Sequence, residues 1–264
     1  MSEHQTIGDY FDGTAAQWRD LYVRQDVYAY MYQQRRDVVL EFVDRLKLPA
    51  KTRVLEVGCG PGVTTVELAR RGYSVDALDV APAMIAFTQR LAFESGVNVR
   101  CLVGDVLRLP VSDDAFALVI AVGVTEWGAD LQRAIDQLAR VVARGGHLIV
   151  TMDNRWAAYR LLDPTLHPVF DPLKTLMRRS ERKPRPRVYS LRQFNAALKK
   201  SGLRIISGMT LGFGPFSFFK YPLFSDRLAI RLHRMIQDVA DQGTPILRHA
   251  GHVYAVLAEK ATGD

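Results

Sequence analysis

Two cysteines, Cys59 and Cys101, are too few for a disulfide framework in a chain of 264 residues, and neither stands in a metal-holding spacing. Both read as reduced thiols, and no metal is expected. Long hydrophobic runs are also missing: the longest, residues 115–124, is far too short to span a bilayer. The opening Met1-Ser2-Glu3-His4-Gln5 lacks the basic and apolar pattern of a secretory leader, so a cytoplasmic protein is expected. Acids are outnumbered by bases, 28 to 35, yet the excess is local, because 178–187 holds six bases and one acid and so carries five of the seven net positive charges. That excludes a generally basic nucleic-acid-binding surface. It leaves a basic loop that meets an acidic substrate, an anionic membrane or water.

What the chain does have is 48% hydrophobic residues, enough for one large α/β domain with elaborations or for a domain and a small partner. Between Trp18 and Leu46 apolar residues recur at helical spacing (Leu21, Tyr22, Tyr28, Met31, Tyr32, Val39, Phe42, Val43), which predicts one or two amphipathic helices stopped by Leu48-Pro49. From Arg53 the pattern alternates. Strands are predicted at 53–57, 74–79, 99–103, 116–122 and 147–152, with helices at 63–71, 82–95 and 130–143, which is the order of a parallel sheet covered on both faces. Pro82 fits a first helical turn, and Gly72, Gly96 and Gly145-Gly146 read as C-terminal caps. After Met152 the alternation fails. Residues 153–188 form a proline- and arginine-rich insertion with a helical signal only near 156–162, followed by a helix from Ser190, a strand at 203–211, an aromatic passage at 213–224, a basic amphipathic helix and a closing strand at 252–260.

The stretch Val54-Leu55-Glu56-Val57-Gly58-Cys59-Gly60-Pro61-Gly62 runs from an apolar strand into a glycine turn and a helix, and a small cofactor can lie across such a turn. Asp79 ends the next strand, about 20 residues on, where doubly wound folds place an acid on a ribose hydroxyl. Together with Gly104-Asp105-Val106 and the helix, glycine turn and strand of 138–150, these residues resemble the class I S-adenosylmethionine-dependent methyltransferases. The resemblance is strong over about residues 50–152. It implies a doubly wound, mostly parallel seven-stranded sheet of Rossmann-like α/β class, whose last strand is antiparallel, with S-adenosylmethionine as cofactor. It also implies roles: Gly58, Cys59, Gly60 and Gly62 let the backbone approach the cofactor, Glu56 orders the loop, Asp79 accepts from the ribose, Asp105 and Val106 meet the adenine after Gly104, and Val80 and Met84 wall its slot. A dinucleotide is disfavoured, because the third glycine falls one place early for Gly-x-Gly-x-x-Gly.

Past the fourth strand, beyond Val122, Gly123-Val124-Thr125-Glu126-Trp127 departs from a common family form with a histidine at the last place. Trp127 is expected to contact cofactor or acceptor, as are Tyr10 and Trp18 of an N-terminal segment similar to the lid of small-molecule methyltransferases. Asp153 and Asn154, directly after the fifth strand, are the candidate acceptor-side catalytic residues. The expected organisation is a helical lid at 1–48, a cofactor-binding core at 49–152, a basic insertion at 153–189, and the end of the sheet at 190–264 with an aromatic and helical insertion at 213–250. The acceptor is expected to be a small, hydrophobic, possibly acidic metabolite methylated on oxygen. Alternatives are a tetrapyrrole or a quinone- or lipid-like acceptor, methylated on carbon or oxygen, and a non-catalytic cofactor-binding scaffold. Lipid or membrane contact through 178–187 and 213–234 stays open, with an acceptor-pocket wall as the favoured reading of 213–224. Nucleic acid is not an expected partner, since no Asn/Asp-Pro-Pro-Tyr motif follows the fourth strand.

Overall fold

A computed structural model describes residues 3–128, 130–163, 184–219 and 221–262. Two helices open the chain, α1 (Glu3–Leu21) and α2 (Val27–Leu46). They are separate because Asp26 caps α2, its carboxylate accepting the Ala29 N–H at 3.0 Å. Lys47, in the left-handed region at φ 49°, ends it.

Strands β1 (Arg53–Val57), β2 (Ser74–Asp79), β3 (Val99–Val103), β4 (Phe116–Ala121), β5 (Val142–Asp153), β6 (Leu203–Leu211) and β9 (Val253–Lys260) form one sheet in the order β3-β2-β1-β4-β5-β9-β6. The first five are parallel, and β9 runs antiparallel to both neighbours. A short hairpin, β7 (Ser217–Phe218) with β8 (Tyr221–Pro222), stands apart. This is the doubly wound class that the alternating pattern implies. β1, β2 and β4 are buried along almost their whole length because helices cover them on both sides. On one face α5 (Leu131–Val141) and α7 (Leu191–Lys200) supply Ile135, Leu138, Phe194 and Leu198; on the other, α2 supplies Val39, Phe42 and Val43, and α3 (Val63–Arg70) supplies Leu68. Among the described residues the remaining α-helices are α4 (Pro82–Glu94), α6 (Ala158–Leu162) and α8 (Asp226–Asp241).

One boundary differs from expectation. β5 begins at Val142 rather than near 147, so Gly145-Gly146 lie inside a strand instead of capping a helix. The last carbonyls of α5 are taken by a side chain from the other end of the chain: Lys260 Nζ donates to Ala139 O and Val142 O, both at 2.8 Å, and pairs with Asp114 at 2.7 Å. A cation at a helix C-terminus supplies what a glycine cap would. Among the described residues no helix is long and apolar enough to cross a membrane.

The strand order reverses between β1 and β4, with β2 and β3 on one side and β5 on the other. A crevice opens at their C-terminal ends, and ligands of such sheets gather there.

Candidate cofactor and acceptor site

The glycine turn bridges β1 and α3 at the bottom of that crevice. Gly58 N and Cys59 N donate to Leu78 O at 2.7 and 3.0 Å, which stitches the turn to the end of β2. Two of its glycines carry different demands. Gly62 (φ +85°) lies against α4, where a Cβ would stand 2.8 Å from the Thr88 Cα, whereas a Cβ on Gly60 (φ +53°) meets nothing within 4 Å. Gly60 lines the cavity and Gly62 does not. The expectation of cofactor contact at Gly62 is therefore corrected: this glycine lets α3 and α4 approach each other.

Asp79 ends β2 with both carboxylate oxygens fixed, Oδ2 accepting the Gly60 N–H at 2.9 Å and Oδ1 the Ala81 N–H at 3.0 Å. Burial raises its pKa in spite of those bonds. Glu56, on β1, is buried and accepts the Thr65 hydroxyl; burial pushes its carboxyl up to about 8. Gly104 N donates to Asp79 O at 2.9 Å, and Asp105 Oδ1 accepts the Leu107 N–H at 2.9 Å, so the ends of β2 and β3 are set side by side. Glu56, Gly58, Cys59, Gly60, Asp79, Val80, Met84, Gly104, Asp105, Val106, Val122 and Trp127 all line one cavity, as does Trp18.

α1 roofs this cavity. Asp12 accepts the Ala83 N–H at 2.7 Å, a carboxylate placed on the N-terminus of α4, and Ala15 packs with Ala81 and Met84. Aromatic rings continue the roof inward, with Phe11 at 5.0 Å from Trp127 and 5.8 Å from Trp18, and Trp18 at 5.5 Å from Tyr32. Tyr10 stacks on Trp127 at 5.8 Å but is not part of the cavity wall, so its place is behind the tryptophan rather than against a ligand.

Opposite the glycine turn the wall is polar. Arg35 of α2 is buried, with its guanidinium 4.5 Å from the Tyr32 ring centre and against Gly123, at the end of β4. Among the described residues it has no hydrogen-bond or ion-pair partner, although Tyr32, Tyr22, Glu126 and Asp153 surround it and help hold its charge against burial. Glu126 is also buried, and its Oε2 has no partner among the described residues. Burial, followed by the charge of Asp153, pushes the Glu126 carboxyl up. Asp153 is driven up by burial too, but His252, whose Nε2 is 3.7 Å away, and Arg35 outweigh that and keep it ionised.

Asn154 does not join this group. Its Nδ2 donates to His249 O and Gly251 O, both at 2.9 Å, and its Oδ1 accepts the Trp156 N–H at 3.1 Å. All its polar atoms are committed to holding the β5 exit against the loop before β9, which corrects its assignment as an acceptor-side residue. The aromatic passage 213–224 is corrected likewise: the cavity wall reaches Leu211 and Gly212 and includes no described residue from 213 to 224. Of the basic run 178–187, residues 178–183 lie outside the described residues, and Pro186 reaches the cavity.

Arg35 and Glu126 are the residues that sequence reasoning missed. Arg35 sits among Gln33, Gln34, Arg36 and Asp37 and reads as part of a solvated face. One signal was present: Arg35 falls at the fourth place between Met31 and Val39, on the apolar stripe itself, where a charge has to be buried.

Residues 54–146 match the family described as "Methyltransferase domain". The chain is 40% identical over 111 residues to a demethylmenaquinone methyltransferase of Thermus thermophilus, covering 41% of this chain and 50% of that protein. It is 32% identical over 156 residues to a ubiquinone biosynthesis O-methyltransferase of Xanthomonas axonopodis, covering 59% and 64%. The chain thus spans between about half and just under two thirds of the length of these curated relatives. A solved structure of magnesium protoporphyrin IX methyltransferase from Synechocystis superposes with a TM-score of 0.65 at 18% identity, covering 97% of this chain and 98% of that one. Residues 54–146 thus match a methyltransferase domain, and the sheet order and glycine turn give the chain the fold of the solved methyltransferase on which it superposes.

Proposed function

We propose that this chain transfers a methyl group from S-adenosylmethionine to a small, hydrophobic acceptor with a nucleophilic oxygen. The observation that carries the reading is the pairing of two buried groups on one cavity. Asp79 is oriented by two backbone N–H donors at the end of β2, and the buried guanidinium of Arg35, which has no hydrogen-bond or ion-pair partner among the described residues, lies against Gly123 past the end of β4. The cofactor matches both, since it brings a ribose diol for the carboxylate and an α-carboxylate for the guanidinium, whose planar fork suits such an anion. In this reading Glu56 orders the turn, Asp105 and Val106 hold the adenine, and Val80 and Met84 wall its slot.

Bound S-adenosylmethionine supplies a methyl group on a sulfonium, open to in-line attack. The chain's own residues position the acceptor and keep water out: Phe11, Trp18, Tyr32 and Trp127 surround the space with rings. Asp153 is the group that takes the acceptor's proton. It is ionised, it lines the cavity, and His252 Nε2 stands 3.7 Å from it. An aromatic, quinol-like acceptor is favoured, because the cavity offers ring faces and because the relatives are named for menaquinone and ubiquinone biosynthesis. A lipid-like acceptor of this kind also gives the exposed side chains Phe218, Phe219, Tyr221, Leu223 and Leu228 a task at a lipid surface.

The test is calorimetric titration with S-adenosylmethionine and S-adenosylhomocysteine, followed by a labelled-methyl assay over reduced quinone precursors. Absence of heat at millimolar cofactor overturns the reading. Binding without transfer to any reduced quinone or phenol overturns the acceptor class while leaving the cofactor site.

A further inference from the structure

Helix α8 is packed the wrong way round for a core helix. Its large apolar residues Leu228, Leu232, Met235 and Val239 share one side, yet the side turned to the protein is Ala229, His233, Gln237 and Ala240. Polar bonds lock that orientation. His233 Nδ1 accepts the Phe213 N–H at 3.2 Å, and its Nε2 lies 2.8 Å from Gln34 Oε1; Gln237 donates to Thr210 O at 3.1 Å and accepts from Gly212 N at 3.3 Å. Turning the apolar stripe inward would break all four. The stripe is accordingly left in solvent, with Met235 57% exposed.

The β7–β8 hairpin, just before α8, repeats the pattern. Phe218, Phe219, Tyr221 and Leu223 are exposed, Tyr221 at 76%. Large exposed apolar side chains gathered so closely along the chain, from Phe218 to Val239, mark a surface that is covered in use. Their chemistry and their neighbours say by what. Aromatic rings with a polar tip sit well at a bilayer's headgroup level. Arg227, Arg231 and Arg234 line the flank of α8 beside the stripe, and Arg227 and Arg234 also share a groove with Arg24 and Tyr30 from the turn between α1 and α2. An apolar face edged by arginines complements an anionic lipid surface.

We infer that the β7–β8 hairpin and the outer face of α8 dock this protein on an anionic bilayer, with Phe219 and Tyr221 entering the headgroup layer and Arg227, Arg231 and Arg234 meeting lipid phosphates. The inference rests on the lipid-contact reading of 213–234 and is independent of methyl transfer, so cofactor binding measured on the same samples separates a failure of one from a failure of the other.

The experiment is co-sedimentation of the full chain with vesicles of phosphatidylcholine alone and of phosphatidylcholine with phosphatidylglycerol. Binding is expected to the mixed vesicles only and to weaken with salt. Phe219→Ser combined with Tyr221→Ser changes two exposed residues, at the loss of the Phe219 ring contact with Phe218, and should abolish it. Arg227→Gln combined with Arg231→Gln should weaken it roughly 25-fold, about fivefold per charge. S-adenosylhomocysteine binding should be unchanged in both. No sedimentation with anionic vesicles, or sedimentation insensitive to both pairs, overturns the inference. So does a dimer that sedimentation velocity shows to dissociate in the Phe219/Tyr221 variant without any vesicle binding by the parent, which assigns the face to a second copy.

Discussion

Substituting alanine at two neighbouring glycines should separate what the turn needs for folding from what it needs for a ligand. Gly60 and Gly62 both sit at positive φ, +53° and +85°, where an alanine costs about 1–2 kcal/mol, offset by roughly 0.5 kcal/mol from the stiffer unfolded chain. For Gly60→Ala the new methyl meets nothing within 4 Å, so the cost ends there at about 1 kcal/mol. For Gly62→Ala the methyl stands 2.8 Å from the Thr88 Cα, a backbone atom that cannot swing aside, and overpacking adds about 1–3 kcal/mol. At about 2–4 °C per kcal/mol for a chain of this size, Gly60→Ala should lower Tm by a few degrees and Gly62→Ala by roughly 5–15 °C. Binding should show the opposite order. The Gly60 methyl projects from the cavity wall where the cofactor is to lie, and its intrusion should weaken S-adenosylhomocysteine binding at least about tenfold, which is ~1.4 kcal/mol. The Gly62 methyl faces α4, so folded Gly62→Ala should bind close to normally. Differential scanning calorimetry and isothermal titration on both variants check this. If Gly60→Ala binds as tightly as the parent while losing only its few degrees, nothing lies over the turn and the cofactor placement is wrong.

Arg35→Met keeps the volume of a buried side chain and removes a charge that has no ion-pair partner among the described residues; Tm should hold or rise, while S-adenosylhomocysteine affinity should fall roughly 10- to 100-fold by titration calorimetry. Unchanged affinity would place the methionyl carboxylate elsewhere. Asp79→Ala removes the acceptor held by Gly60 and Ala81 and should weaken the cofactor by a similar factor, with adenosine-containing competitors losing affinity in parallel. For Glu56 the sign of the pH dependence is set by a raised acid: folded, it keeps its proton up to about 8, while the unfolded chain releases it near 4.5, so stability falls as pH rises through that window. Glu56→Gln should remove this slope, so that its Tm gains on the parent between those pH values; parallel Tm–pH curves refute the burial account.

The order of strands and helices, the glycine turn and the acids at the ends of β2 and β3 were legible in the chain because each is a local pattern. A period of two or 3.6, a glycine where φ must be positive and a carboxylate at a strand's last residue depend on neighbours a few places away. They determine the fold class and bring Glu56, Gly60, Asp79 and Asp105 to one side of the crevice. The other half depends on contacts between residues far apart in sequence. Asn154 follows a strand just as Asp153 does, and only the loop at 249–251 decides that its amide is spent on backbone carbonyls. Arg35 reads as a surface arginine until α2 is laid across the sheet and its guanidinium meets Gly123. The amphipathic pattern of α8 predicts which residues share a side but not which side is buried, since that is settled by bonds from His233 and Gln237 to residues 20 to 199 places away. Hydrophobic patterning is a tendency summed over many residues, and a few buried polar groups that must find partners can overrule it.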